Sequence, residues 1–248
     1  MSKEHKAGIV VPYRDREYHL ELFIPKIVEI LKFRNINYQI YIVEQDAGKP
    51  FNTGMLKNIG TIFSIIDGCD YIVFNDVDTI PTSYDIFYDY PGEKVNHLFG
   101  YTMSLGGALS LSVEIVECIN GFYNNFWGWG FEDTDLKFKI EMCGIMIDET
   151  DSVFSNIDID ENKPTNERKF LWLNNCDTHI RTSLSDGVTN EDDKRRNAYY
   201  REKNKQLYAL NQQNYLRTRT FHDGLSTTAF KVNFKKDCGE YTLINVSI

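Results

Sequence analysis

The stretch Tyr71-Ile72-Val73-Phe74-Asn75-Asp76-Val77-Asp78 opens with four aromatic or β-branched residues and ends among carboxylates. Asp67-Gly68 stands just ahead of it, so it reads as a short buried strand whose polar end emerges from the core. Upstream, Met55, Ile59, Ile62, Phe63 and Ile66 recur at helical spacing behind Phe51-Asn52-Thr53-Gly54, where Asn52 or Thr53 can cap the helix. Tyr38 through Val43 is a second strand, and Leu20, Phe23, Ile27, Ile30 and Leu31 mark another helix. Pro25 inside that helix predicts a kink or a restart. Ala7-Gly8-Ile9-Val10-Val11 is a further strand, ended by Pro12. Strand, helix, strand, helix, strand predicts an α/β fold on a largely parallel sheet.

Beyond Asp78 the pattern loosens. Leu98–Tyr101 and Gly107–Leu111 read as strands, and Val113–Cys118 as a short helix. Asp133 or Thr134 starts a helix that passes Leu136, Ile140 and Cys143 and stops at Gly144. Asp148–Lys169 reads as a polar surface loop, and Thr182–Asp193 as a polar, mobile lid. Asp192–Gln213 reads as a surface helix, and Ala229–Phe234 and Tyr241–Val246 as closing strands. The length of 248 residues suits a single domain spanning 1–248.

Thirty-six acidic and 27 basic residues leave a net charge of −9, the wrong balance for a general nucleic-acid binder. The best basic stretch, Lys194-Arg195-Arg196, directly follows Glu191-Asp192-Asp193. No apolar run is long enough to span a membrane, and the opening residues lack the apolar core of a signal peptide. The five cysteines match no zinc-site spacing and cannot all pair within one chain. They read as reduced core thiols.

The chemistry concentrates in Asn124-Asn125-Phe126-Trp127-Gly128-Trp129-Gly130-Phe131-Glu132-Asp133-Thr134-Asp135. Bulky aromatic surface beside carboxylates suits a sugar, which offers one apolar face and several hydroxyls. A core strand would gain little from three acids that are costly to bury unpaired. Asp76 and Asp78 at a strand end supply the oxygen ligands that Mn²⁺ or Mg²⁺ prefers, although a capping turn uses the same residues. Arg14 and Arg16 can fork around a diphosphate; alternatively they are a surface pair neutralised by Asp15 and Glu17. Gly106-Gly107 lets the backbone pass close to a ligand or make a tight turn. His179 can lend an imidazole to a metal site, with Cys176 or Asp177 as companion.

These motifs, in this order, resemble the β-1,4-galactosyltransferases from about Ile9 to near Val232. The matching elements are Val11-Pro12-Tyr13-Arg14-Asp15-Arg16, Phe51-Asn52-Thr53-Gly54-Met55-Leu56-Lys57-Asn58-Ile59-Gly60 and Phe74-Asn75-Asp76-Val77-Asp78. They continue through Gly106-Gly107-Ala108-Leu109-Ser110, Asn120-Gly121-Phe122, the Trp-Gly-Trp-Gly-x-Glu-Asp block and Asp223-Gly224-Leu225-Ser226. The resemblance implies a GT-A fold: a Rossmann-like, mostly parallel twisted sheet flanked by helices, with a mobile lid after His179. It implies a nucleotide-sugar half over about 1–110 and an acceptor and lid half over about 111–248. It further implies inverting, Mn²⁺-dependent transfer from a UDP-sugar to a glycan or glycoprotein hydroxyl.

By the same resemblance Asp78 and His179 bind the metal, with Cys176 or Asp177 as a further ligand. Pro12, Arg14, Arg16, Phe51 and Asp76 serve the nucleotide. Asp133 is the general base, Glu132 holds sugar, and Trp129 stacks beside donor and acceptor. Ser104 stands where many members carry a donor-tuning tyrosine, which makes UDP-GalNAc an alternative to UDP-galactose. Thr134 replaces an acid that meets the acceptor, and Thr53 replaces an arginine. Members are generally membrane-anchored Golgi enzymes. The chain therefore reads either as the core of an anchored Golgi-lumen parent or as an unanchored, cytoplasmic relative. The competing readings are a glycan-binding module without catalysis, stacking sugar on Trp127 and Trp129, and a structural protein with an aromatic core.

Overall fold

A computed structural model describes residues 4–149, 169–173 and 191–248. Strands β1 (Lys6–Tyr13), β2 (Asn37–Gln45) and β3 (Tyr71–Asn75) lie parallel, with β1 in the middle. Helix α1 (Glu17–Phe33) carries the chain from β1 to β2, and α2 (Thr53–Ile66) returns it across β1 to β3. Two right-handed crossovers running in opposite directions put their helices on opposite faces of the sheet. Alternation along β1 follows from this. Ile9 and Val11 pack with Phe23, Ile27 and Leu31 of α1, while Val10 packs with Leu56 and Ile59 of α2. A strand covered on both faces needs an unbroken apolar run, which is what Ala7–Val11 supplies.

The remaining elements are β4 (Thr79–Pro81), β5 (Val95–Phe99), β6 (Ala108–Ser112), α3 (Val113–Cys118), α4 (Glu132–Met142), β7 (Ile147–Asp148), β8 (Phe170–Trp172), α5 (Glu191–Thr218), β9 (Lys231–Asp237) and β10 (Thr242–Ser247). The main sheet runs β7-β5-β6-β3-β1-β2-β10-β9. Its centre, β3-β1-β2-β10, is parallel; β6 is antiparallel to β3 and β5, and β9 to β10. Strands β4 and β8 form a separate antiparallel pair.

Several elements depart from the sequence expectation. Helix α1 runs unbroken through Pro25, because buried Phe23, Ile27, Ile30 and Leu31 hold both halves against the sheet. The strand expected at Leu98–Tyr101 lies earlier, at Val95–Phe99, where buried Asn96 and His97 disguise it as polar. Helix α4 starts at Glu132 rather than Asp133 or Thr134. Its N-cap, Phe131, is left-handed (φ 78°) and offers no side-chain acceptor. Three acidic side chains, Glu132, Asp133 and Asp135, stand in the first turn instead, and Asp133 Oδ1 accepts from the Thr134 amide at 2.7 Å. Of the expected loop and lid, residues 150–168 and 182–190 lie outside the described residues, and Glu191–Asp193 already belong to α5. No helix among the described residues is long and apolar enough to cross a membrane. Cys69 is buried as expected of a core thiol, whereas Cys118 and Cys143 are exposed because they fall at helix ends.

Helix α5 is more than a surface helix. Its buried residues Asn211 and Tyr215 donate to the two carboxylate oxygens of Asp135 on α4, at 3.3 and 3.4 Å. Burial raises Asp135 to about 6, against the pull of Lys139 one turn on. Burial likewise lowers Lys139 to about 8, with Asp135 opposing. The Lys139 ammonium donates to the carbonyls of Ile119 (3.3 Å) and Gly121 (2.6 Å), so α4 is anchored to the end of α3.

Two outcomes follow for stability. A Cβ at Gly60 would fall inside the Val10 side chain, so Gly60→Ala should cost about 1–3 kcal/mol in urea unfolding, relieved in part by Val10→Ala. The folded state raises Asp135 above its ordinary 3.8, so stability from this group is full below that pH and lost as pH rises through about 6. Asp135→Asn removes the titration. Its stability relative to the parent chain should therefore climb between about pH 4 and 6; a constant difference across a pH series of urea titrations would refute the assignment.

Candidate active site

In open α/β sheets a ligand crevice forms beyond the carboxyl ends of strands where the chain reverses its winding. Here that point lies between β1 and β3. Pro12 is buried within the end of β1. Arg14 and Arg16 follow it, both buried, with Asp15 left-handed (φ 51°) between them. They are not the exposed surface pair that Asp15 and Glu17 alone would neutralise. The Arg14 guanidinium donates to the Lys49 carbonyl at 2.9 Å and lies 5.1 Å from the Phe51 ring centre. Arg16 Nη1 is 3.6 Å from Asp78 Oδ2.

At the end of β3, Asp76 accepts from the Gly107 amide at 3.2 Å and pairs with Lys57 Nζ at 3.1 Å. Lys57 was not anticipated from the sequence. It rides on α2, is 1% exposed, and also lies over the Phe122 ring. Burial works to lower its pKa, but Asp76, Glu132 and Asp133 outweigh it and the net shift is upward. The lysine stays charged. Glu132 is pushed up to about 8 by burial and then by Asp133, against Lys57. The shift biases this carboxyl toward its protonated, hydrogen-bond-donating form near neutral pH.

Asp133 meets the Gly-Gly turn. A Cβ on Gly106 would lie 2.7 Å from Asp133 Oδ2 and 3.9 Å from Ser104 Oγ, so the carboxylate rests against the bare face of the glycine and a larger residue would push it aside. The other oxygen, Oδ1, accepts from the Thr134 amide at 2.7 Å and its hydroxyl at 3.3 Å. Ser104, Gly106, Asp133 and Thr134 thus converge.

The Trp-Gly-Trp-Gly block is held from both sides. The Gly128 amide donates to the Phe51 carbonyl at 2.7 Å, joining the block to the arginine side of the crevice. From α5, Asn204 donates to the carbonyls of Trp127 (3.1 Å), Trp129 (3.4 Å) and Gly130 (3.0 Å). Trp129 is 50% exposed, with the Arg201 guanidinium 5.2 Å from its ring centre; Trp127 carries Lys49 in the same way at 5.4 Å. Arg14, Lys49, Phe51, Trp129, Arg196 and Tyr200 line a cleft of about 230 Å³. Asp223 has a bracing role: it accepts from the Asn124 amide at 3.0 Å, and Asn124 in turn accepts from Asn58 of α2 at 2.9 Å.

Asp76 and Asp78 offer oxygen donors to the crevice, a set that fits a hard divalent cation. Among the described residues no group of three or more metal-binding side chains gathers. His179, Cys176 and Asp177 lie outside the described residues.

The sequence matches two consecutive family models, the N-terminal region of glycosyl transferase group 7 over residues 2–91 and the N-terminal domain of galactosyltransferase over residues 92–159. A xylosylprotein 4-beta-galactosyltransferase of Caenorhabditis elegans is 36% identical over 145 residues, covering 55% of this chain and 50% of the relative. Human beta-1,4-galactosyltransferase 5 is 36% identical over 152 residues, covering 57% of this chain and 39% of the relative. The chain thus spans half or less of these relatives' length. The crystal structure of the catalytic domain of Drosophila beta-1,4-galactosyltransferase 7 with xylobiose superposes with a TM-score of 0.70 at 24% identity, covering 98% of this chain and 94% of that one. A variant of the same Drosophila enzyme, in complex with manganese, UDP-Gal and xylobiose, gives a TM-score of 0.72 at 24% identity and the same coverage. These structural matches establish the fold shared with that catalytic domain. The two family models, which run end to end from residue 2 to 159, and the relatives at 36% identity show that the chain belongs to the β-1,4-galactosyltransferase family.

Proposed function

We propose that this protein transfers galactose, or N-acetylgalactosamine, from a UDP-sugar to a hydroxyl of a glycan or glycoprotein acceptor with inversion at the anomeric carbon. The observation that carries the reading is the meeting of the Asp133 carboxylate with the side-chain-free face of Gly106 beside the arginine-lined crevice. Asp133 takes the proton of the attacking acceptor hydroxyl. Glu132, biased toward its protonated form near neutral pH, donates to a sugar oxygen, and the exposed face of Trp129 stacks on a sugar ring. Phe51 and Pro12 shape the nucleotide site. Arg14 and Arg16 hold the diphosphate by forked hydrogen bonds. Asp76, pinned by Lys57 and Gly107, orients the turn that carries Asp78. A divalent cation such as Mn²⁺, held by Asp78 and His179 with Cys176 or Asp177, would offset charge on the departing UDP. The neighbouring Drosophila complex with manganese and UDP-Gal supports both ligands.

Asp133→Asn should lower transfer at least 100-fold while UDP binding, followed by calorimetry, stays within about 3-fold. Unchanged transfer would sink the assignment of the base. Glycan binding indifferent to both UDP and Mn²⁺ would favour the non-catalytic module. Ser104, beside Gly106, is smaller than the tyrosine that many members carry, and in this reading that difference admits an N-acetyl group on the donor. Ser104→Tyr should therefore reduce use of UDP-GalNAc relative to UDP-galactose by about 10-fold or more in paired rate measurements, about what a filled pocket supplies. An unchanged ratio would show that Ser104 does not set donor size.

A further inference from the structure

His97 is a buried titratable side chain with no task in the chemistry above. It lies on β5, fully buried, opposite Leu109 of β6. Leu109 and Val95, its neighbours across and along the sheet, are apolar and equally buried. Its Nε2 is 3.0 Å from the Gly106 carbonyl oxygen. A carbonyl only accepts, so Nε2 carries the proton. Burial lowers the pKa of the ring, with the Gly106 carbonyl opposing, and the neutral imidazole has no second N–H. Nδ1 is left buried with no partner among the described residues. An apolar side chain would fill the same space without that cost. What the imidazole adds is one directed N–H, aimed at Gly106.

The bond falls on a peptide that needs it. The unit joining Gly106 to Gly107 is a rigid plane flanked by two residues without Cβ, so it rotates more freely than any other kind. Its two polar groups are pinned from opposite directions. The Gly107 N–H donates to Asp76 at 3.2 Å, and the Gly106 carbonyl accepts from His97. A Cβ at Gly100 would overlap that carbonyl oxygen and lie 2.8 Å from His97 Nε2, so the end of β5 packs directly on the turn. We propose that His97 is a positioning residue for the transfer: its Nε2–H locks the Gly106–Gly107 peptide and thereby the bare face of Gly106 against which Asp133 rests. His97 has this role only if Asp133 is the base, as proposed above.

The test uses the full chain with UDP-galactose, Mn²⁺ and the best acceptor from a panel of simple β-linked sugars. His97→Leu, which lacks the donor, and His97→Asn, whose amide is too short to reach Gly106, should each lower kcat at least about 10-fold. UDP binding by calorimetry should stay within about 3-fold, because Arg14, Arg16 and Phe51 stand apart from this bond. His97→Gln places an amide nitrogen where Nε2 lies and should keep kcat within about 3-fold of the parent. Added to Asp133→Asn, His97→Leu should cause no further loss, since both changes act through one carboxylate. Equal kcat in the Gln and Leu variants, or losses that multiply in the double variant, would overturn the proposal. If His97→Leu does not fold, the Asn and Gln variants decide in the same way. Unimpaired transfer in Asp133→Asn removes the base and this role with it; a crippled Asp133→Asn beside a fully active His97→Leu sinks the role of His97 alone.

Discussion

A single buried ammonium, that of Lys57, sits among the carboxylates from which the site is built. Asp76 arrives from the end of β3 and Glu132 and Asp133 from the start of α4, and their mutual repulsion in a partly desolvated crevice would drive them apart or force protons onto them. The lysine, delivered from beneath by α2, offsets that repulsion for Asp76 directly and for Glu132 in part. Glu132, pushed up to about 8 by burial and then by Asp133, carries what the lysine leaves unbalanced. One cation shared among three acids is the electrostatic support for the proposed division of labour on α4, in which Glu132 donates a hydrogen bond and Asp133 takes a proton.

The second constraint is a set of asparagines, Asn52 and Asn58 buried and Asn120 half-buried, that fixes where the Trp-Gly-Trp-Gly block can lie. Asn52 caps α2 with its side-chain oxygen and donates from its nitrogen to the Asn124 carbonyl at 2.7 Å. Asn58 bonds both the amide and the carbonyl of Phe122, each at 2.8 Å. Asn120 accepts from the Ser226 amide at 2.8 Å and donates to the Phe221 carbonyl at 2.7 Å. A primary amide can both donate and accept, so each of these residues satisfies irregular backbone that no helix or strand completes. This is how long stretches without regular structure stay ordered beside the crevice.

The parallel centre of the sheet was legible because strands covered on both faces leave apolar runs, as at Ala7–Val11 and Tyr71–Phe74. The crevice was legible because its charges follow directly on such runs: Arg14 and Arg16 after β1, Asp76 and Asp78 after β3. The Gly106–Asp133 contact was visible only as two separate motifs, since nothing in their spacing says that they touch. Lys57 was hidden for a simple reason. A lysine between Leu56 and Asn58 looks like an ordinary polar position on an amphipathic helix, and its burial depends on acids that come from β3 and α4. Strand β5 was displaced in the reading because Asn96 and His97 are polar yet buried. Asp223-Gly224-Leu225-Ser226 was recognisable as a motif, but its bracing role appears only in the bonds to Asn124 and Asn120.

Strand β10 lies beside β2, with Leu243 opposite Ile42 and Ile244 opposite Val43, and Asn245 donates to Glu44 at 2.6 Å. The strand that completes the parallel centre thus comes from the far end of the described chain. Contacts between such distant segments carry a large loop-closure cost and form late. Until β10 arrives, the nascent sheet presents the open edge of β2, a row of unpaired amides and carbonyls able to recruit another chain. During synthesis the αβ units that hold Arg14, Arg16, Asp76 and Asp78 emerge first, yet they wait for the last strand before that edge is covered. Polar side chains along β2, Gln39, Glu44 and Gln45, guard the edge in that interval.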